Sequence, residues 1–408
     1  MDARVVTREA LQPFLESLTR HGYQIVGPRI RDGAIGLGLI TTDRDLPVGW
    51  TDEQGPARYR LRERGDAAVF GYTVGPHSWK RWLSPPAATI WRVRRDDGGF
   101  AIEPPREPPP RQAFLGVRAC ELHALAILDR ILLEGSYFDP GYRARRGAVL
   151  IVAVNCARAG GTCFCASMGT GPRATGGFDL VLTELLDHGR HEFFVEIGTQ
   201  RGADVLDGVP SRDATPEDRA QADRESAAAA GHMGRDLPTD GLRDALVRNL
   251  DHPRWDEVAA RCLSCTNCTM VCPTCFCSTT EDATDLSGLQ AERRKRWDSC
   301  FNREFSYIAG GVLRASPRAR YRQWLTHKLA HWVDQFGTFG CVGCGRCITW
   351  CPAGIDITEE ARAIRETEHA HRPPAVEGGP VRGESARDTP GGTSGTLLDE
   401  LGGTNEDD

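Results

Sequence analysis

Apolar and polar positions alternate along this chain with two different periods, and the period changes where the architecture should change. Leu11, Phe14, Leu15 and Leu18 fall on one face of a helix that Gly22 ends. Tyr23–Val26 and Ala34–Ile40 follow as strands around an Asp32-Gly33 turn. The proline-rich run from Pro104 to Pro110 breaks regular structure and marks a boundary. Beyond it, Phe114–Val117 reads as a strand, and Cys120 opens a helix carrying Leu122, Leu125, Ala126 and Leu132. Ala148–Val154 reads as a buried strand running into Asn155-Cys156, and Phe193–Ile197 as another strand. Thr215-Pro216-Glu217-Asp218 supplies a cap, a proline in the first turn and acids, which together start a helix. Asp240 is placed to cap a helix through Leu242, Leu246 and Leu250, and Trp255–Ala260 leads into a cysteine-rich region. Leu325, Leu329, Trp332 and Phe336 form an amphipathic stripe that Gly337 closes.

The expected fold is a pair of mixed α+β or α/β N-terminal lobes with a mostly helical C-terminal domain containing a ferredoxin-like dicluster module. The boundaries drawn from the pattern are a mixed lobe at 1–105, an α/β lobe with its own cysteines at 106–207 and a helical connector at 208–250. A dicluster domain with a helical insert follows at 251–370, then a disordered acidic tail at 371–408. Residues 373–408 hold eight acids and two bases, which accounts for the whole net charge of −6 and leaves the body neutral. A neutral body disfavours a nucleic-acid binder. The longest apolar run, Ala148 to Val154, is seven residues, against the ~20 a membrane-spanning helix needs. With no apolar leader after Met1, the expected location is the cytoplasm.

The cysteines change the picture most. There are 15, an odd number, in a chain without a secretory signal, which favours metal or redox chemistry over a disulfide framework. Cys262, Cys265, Cys268 and Cys272-Pro273 follow C-x2-C-x2-C-x3-C-P, and Cys341, Cys344, Cys347 and Cys351-Pro352 repeat it. This is the run that binds 4Fe-4S clusters, in which the fourth cysteine ligates the other cluster. The assignment is one cluster on Cys262, Cys265, Cys268 and Cys351, and a second on Cys341, Cys344, Cys347 and Cys272. A zinc site ordinarily uses separated pairs of C-x2-C instead. Cys272 and Cys341 stand 69 residues apart, more than the gap of a compact ferredoxin. Within them Arg314, Arg318, Arg320, Tyr321, Arg322 and Trp324 read either as a solvated helix face or as a docking surface for an acidic partner.

Cys120, Cys156, Cys163 and Cys165 form a further group. Cys163 and Cys165 sit two apart, so an extended backbone points both sulfurs to one face. They read as a third cluster, against the alternative of four buried free thiols. Cys275, Cys277 and Cys300 flank the clusters, bind something with a non-cysteine ligand or simply pack; packing is the default. Gly169, Gly171 and Ala174 fit a loose dinucleotide fingerprint, but no clear strand precedes them and Pro172 interrupts, so they read as turns. No catalytic motif appears.

Blocks around Cys120 (Gly116–Leu125), Cys156 (Asn155-Cys156), Cys163 (Thr162–Pro172), Cys272 (Cys272–Cys277), Cys300 (Trp297–Cys300) and Cys341 (Gly340–Thr358) resemble the iron–sulfur beta subunit of cytoplasmic nickel–iron hydrogenases of the sulfhydrogenase type. The electron-transfer iron–sulfur subunit of anaerobic sulfite reductase is similar over the same blocks, within residues 112–360. The resemblance implies a relay without a catalytic site of its own. Electrons pass between a flavin subunit that uses NAD(P)H and the small and large hydrogenase subunits; the alternative is the relay of a sulfite reductase complex. It also implies that the middle four cysteines hold a cluster.

Overall fold

In this computed structural model, residues 2–96, 98–103, 109–187 and 189–367 are described; the tail expected at 371–408 and most of the proline run lie outside them. The strands of three or more residues, in chain order, are β1 (Ala3–Thr7), β2 (Gln24–Arg31), β3 (Ala34–Leu39), β4 (Trp50–Gly55), β5 (Arg58–Glu63), β6 (Ala87–Asp96), β7 (Gly99–Glu103), β8 (Gln112–Val117), β9 (Val149–Val154), β10 (Leu180–Asp187), β11 (Arg190–Ile197), β12 (Ser211–Asp213), β13 (Ser278–Thr284) and β14 (Gln290–Trp297).

Among the described residues the largest sheet has eight strands in the order β12-β1-β11-β10-β9-β8-β2-β3. Its middle, β2-β8-β9-β10, is parallel, and its flanks are antiparallel. A parallel block needs cover on both faces, and β9 shows the consequence, being buried at every position. Leu150, Val152 and Val154 pack with Leu11, Phe14 and Leu15 of the first helix. Val149, Ile151 and Ala153 point the other way, onto Leu122, Leu125 and Leu128 of the helix Ala119–Leu132.

This sheet runs through the boundary drawn at residue 105: β1–β3 come from one side of it and β8–β11 from the other, so the two lobes share one sheet. The 208–250 segment is also more than a connector. It contributes edge strand β12, and its helix Pro216–Gly231 places Ala222 in a cluster with Val5, Leu185 and Phe194. Thr215 caps that helix as the sequence indicates, its hydroxyl accepting from the Asp218 N–H. The helix Leu242–Arg248 starts instead from Gly241, in the left-handed region at φ 67°, which turns the chain one residue after Asp240; Leu250 lies past its end.

The C-terminal part has a core of Leu242, Leu246, Trp255, Tyr321, Trp324 and Ile357 among others. The Leu325–Phe336 stripe is helical and ends at Gly337, φ 68°. The expectation of a mostly helical domain misses a hairpin: β13 and β14 pair with each other and then with β6 and β7, forming a second sheet shared with the first hundred residues. The basic run is folded inward. Arg320 is buried, donating to the carbonyls of Arg314 and Ala315, and Tyr321 and Trp324 belong to the core.

Candidate iron–sulfur centres

The two cysteine motifs adopt the same turn. In the first, Ser264 and Thr266 have left-handed backbones (φ 50° and 68°), and the short helix Asn267–Met270 then carries Cys268. In the second, the equivalent positions are Gly343 and Gly345 (φ 65° and 75°), and the helix Arg346–Thr349 carries Cys347. Glycine is required there for a second reason. A Cβ at Gly343 would stand 2.6 Å from the Phe164 carbonyl oxygen, and one at Gly345 2.3 Å from that of Thr162. The second motif is thus pressed against the loop holding Cys163 and Cys165. The Phe164 N–H donates to the Gly343 carbonyl at 2.8 Å, and the Thr170 hydroxyl to that of Val342 at 2.7 Å.

The structure brings Cys351 to the first motif and Cys272 to the second. Cys262, Cys265, Cys268 and Cys351 border one cavity together with Cys347 of the second motif, walled by Phe301, Tyr321, Trp324 and Ile355. Burial raises the Cys268 thiol, followed by charge on Cys262, Cys351 and Cys265. Burial also raises Cys347, followed by charge on Cys341, Cys344 and Cys272, with Cys268 after them. Donors face the sulfurs: the Ile355 N–H reaches Cys351 Sγ at 3.4 Å, and Lys328 Nζ reaches Cys272 Sγ at 3.3 Å.

The middle-lobe cysteines also meet. Cys120 follows β8 and Cys156 follows β9, so the carboxyl ends of two adjacent parallel strands deliver them; Cys163 and Cys165 arrive on the loop beyond. Burial pushes Cys163 up to about 12, with Cys156 and Cys344 as charged neighbours. Cys120 is raised well above its ordinary value by burial, then by Cys165 and Cys344. Cys163 Sγ lies 4.0 Å from the Cys344 carbonyl oxygen. Cys272 Sγ also lies 3.2 Å from the Thr274 hydroxyl, and the Asp298 N–H donates to the Cys277 carbonyl at 2.9 Å, two residues before Cys300.

Two buried pairings, invisible in the spacing, lock this region. Arg346, inside the second motif, donates to Glu121 beside Cys120 at 2.6 Å, with both side chains at 5% exposure or less. Arg118 donates to the carbonyls of Phe70 and Tyr72 and lies 3.9 Å from Cys156 Sγ. The β4–β5 hairpin braces the second motif: Tyr59 stacks on Trp350 at 5.2 Å, and the Thr349 hydroxyl donates to Gln54 at 2.8 Å.

Thiols that burial raises, such as Cys268 and Cys347, stay protonated until a metal takes the proton's place, and thiolate ligation then releases it. Among the described residues no three His, Cys, Asp or Glu side chains converge as a single-ion site would require. A cubane puts each thiolate on a separate iron, farther apart than sulfurs sharing one zinc at ~2.3 Å. Soft thiolates, buried walls and N–H donors to sulfur suit an iron–sulfur cluster.

Residues 261–355 match a family model described as a 4Fe-4S dicluster domain. Over 333 residues the chain is 34% identical to "Sulfhydrogenase 2 subunit beta" of Pyrococcus furiosus, covering 76% of this chain and 92% of that one. No solved structure matches. Among the described residues no helix is long and apolar enough to cross a membrane.

Proposed function

This chain belongs to the family of sulfhydrogenase beta subunits and is an iron–sulfur electron-transfer subunit, and from that premise we propose that it is a three-cluster relay within a cytoplasmic hydrogenase complex. The first cluster is held by Cys262, Cys265, Cys268 and Cys351. The second is held by Cys341, Cys344, Cys347 and Cys272, and the third by Cys120, Cys156, Cys163 and Cys165. When bound, such clusters supply one-electron carriers.

The observation that carries the reading is the neighbour order. Cys347 and Cys268 are electrostatic neighbours across the first and second sets, and Cys344 neighbours Cys120, Cys163 and Cys165 across the second and third. Three sets in a row, with the dicluster's second set in the middle, is the arrangement a relay needs. Exposure marks one end. Cys265 is exposed and the adjoining Leu263 is 69% exposed, so the first set faces solvent, while Cys120, Cys163 and Cys165 are buried. The residues around the second set hold thiolates in a water-poor site and offset their charge with Lys328 Nζ and backbone N–H groups.

The proposed partners are a flavin subunit exchanging electrons with NAD(P)H and the small and large subunits of a nickel–iron hydrogenase. Anaerobic affinity purification of the tagged chain from its native cells, with mass spectrometry of what accompanies it, tests this. Co-purifying flavin and nickel–iron subunits are expected. A sirohaem reductase subunit in their place, or the chain alone, contradicts the hydrogenase assignment.

A further inference from the structure

Arg118 joins the two strand ends that deliver Cys120 and Cys156. It stands between β8 and the helix Ala119–Leu132 that carries Cys120, and its side chain crosses to the end of β9. There Nη1 donates to the Asn155 carbonyl at 3.4 Å and faces Cys156 Sγ at 3.9 Å. Nη2 donates to the carbonyls of Phe70 and Tyr72 at 3.0 and 2.9 Å, and the guanidinium lies 5.0 Å from the centre of the Tyr72 ring. A segment from the first hundred residues thus aims this side chain at a cysteine of the middle lobe.

Charge is what sets Arg118 apart. It is 2% exposed, and it cannot be buried as a neutral base, because a guanidinium keeps its proton in proteins. Among the described residues it forms no ion pair with a carboxylate. The buried carboxylates Glu121, Asp52 and Glu184 all serve other donors. Glu121 accepts from Arg346 at 2.6 Å, from the Trp79 ring N–H at 3.0 Å and from the Arg118 backbone N–H at 3.4 Å. Asp52 accepts from the Thr73 N–H and hydroxyl and from the Gln54 amide. Glu184 takes the N–H groups of Val69 and Phe70 and pairs with His191. Backbone dipoles therefore hold the guanidinium, and Cys156 Sγ is the ligand atom within its reach.

A cluster that accepts an electron gains one negative charge, shared with its ligand sulfurs. Burial opposes that gain, and Cys120, Cys163 and Cys165 are buried. A fixed cation beside a ligand sulfur offsets the cost, because hydrogen bonds from a charged donor are the strong ones and screening by salt is weak in the interior. We propose that Arg118 is a positioning residue of the middle-lobe site, whose fixed charge beside Cys156 makes the cluster there easier to reduce. The electron comes from the relay, and the arginine neither gains nor loses a proton. Arg346 does not duplicate this role, since Glu121 answers its charge. The inference rests on the three-cluster reading and deepens it, naming what sets the potential of the buried end.

The test is an EPR-monitored redox titration of the full chain, expressed and reconstituted anaerobically, with iron and sulfide analysis alongside. The middle-lobe signal is the one that Cys163→Ala/Cys165→Ala removes. Arg118→Gln is expected to keep its iron and to move the midpoint of that signal to lower potential, by more than those of the other two clusters. Arg118→Lys restores the charge and is expected to recover part of the shift. An unchanged midpoint in Arg118→Gln overturns the proposal. So does an equal fall in both variants, which marks packing rather than charge. Iron unchanged in Cys163→Ala/Cys165→Ala overturns the third cluster itself, and this inference with it. Where Arg118→Gln fails to hold the cluster, the unaltered chain decides. With arginine carrying a heavy-nitrogen label, pulsed EPR of the reduced middle-lobe cluster should show a coupling to that nitrogen; its absence overturns the proposal.

Discussion

The second cysteine motif and the middle-lobe quartet each bring four thiols together, and they do it by opposite means. Three thiols of the second motif come from seven consecutive residues, and two left-handed glycines set their turn. The quartet comes from the ends of two parallel strands and a loop beyond them, spread over 46 residues from Cys120 to Cys165. One site is built by local backbone geometry and the other by sheet topology. They touch along Val342–Gly345, where the requirements of both fall on the same glycines and on the Arg346–Glu121 pair. A thiol set made by local backbone is one that spacing alone reveals, and a set made by topology depends on the whole sheet.

Crossed ligation makes the sharpest break. Cys351→Ser is expected to remove the cluster of Cys262, Cys265 and Cys268, with a loss of about four irons, although Cys351 belongs to the other motif. Iron analysis with EPR of the reduced chain checks it; damage confined to the Cys341, Cys344 and Cys347 cluster would contradict the assignment. The bridge between the two sites comes next. Arg346→Met strands Glu121 in a buried site, and breaking such a pair costs about 3–5 kcal/mol. Chemical denaturation should show that loss, together with weakened iron retention at both the second and the middle-lobe sets. Gly343→Ala drives a Cβ into the Phe164 carbonyl in a strained backbone, an overpacking cost of about 1–3 kcal/mol. The equivalent Ser264→Ala adds no Cβ, since that position already carries a side chain at φ 50°, and loses only the hydroxyl that accepts from Arg320 at 3.3 Å, so the smaller loss is expected there; matched denaturation curves compare the two. The smallest effect is electrostatic. Lys328→Met removes a cation donating to Cys272 Sγ, so reducing the second cluster becomes harder. A hydrogen bond to a charged group is worth about 1.5–3 kcal/mol, so its midpoint potential should fall by roughly 60–130 mV in an EPR-monitored titration.

The same contrast explains what the sequence could disclose. The dicluster motifs are legible because their spacing is itself the geometry. The helix at Leu11, the strand Val149–Val154 and the Thr215 cap are legible from period and local chemistry. Strand β10 is not: Leu180–Leu186 is apolar but for Thr183 and Glu184 and does not alternate, because both faces are covered, and such a run fits a buried helix equally well. The β13–β14 hairpin hides for the opposite reason, since its strands are largely polar or charged and β14 finds its place by pairing with β6, about 200 residues away in the chain. Arg346 and Glu121 are 225 residues apart, and neither stands out from its neighbours in a single sequence. Lys80 and Lys328 look like ordinary surface lysines until the fold buries them.

The most direct test of the relay interrupts its middle. In the anaerobically purified complex, Cys347→Ser removes a ligand of the second cluster, and transfer between NAD(P)H and the hydrogen-activating subunits is then followed alongside each partner's own reaction with an artificial dye. The account predicts that transfer across the complex collapses while both dye reactions persist. Undiminished transfer with the second cluster lost would contradict it.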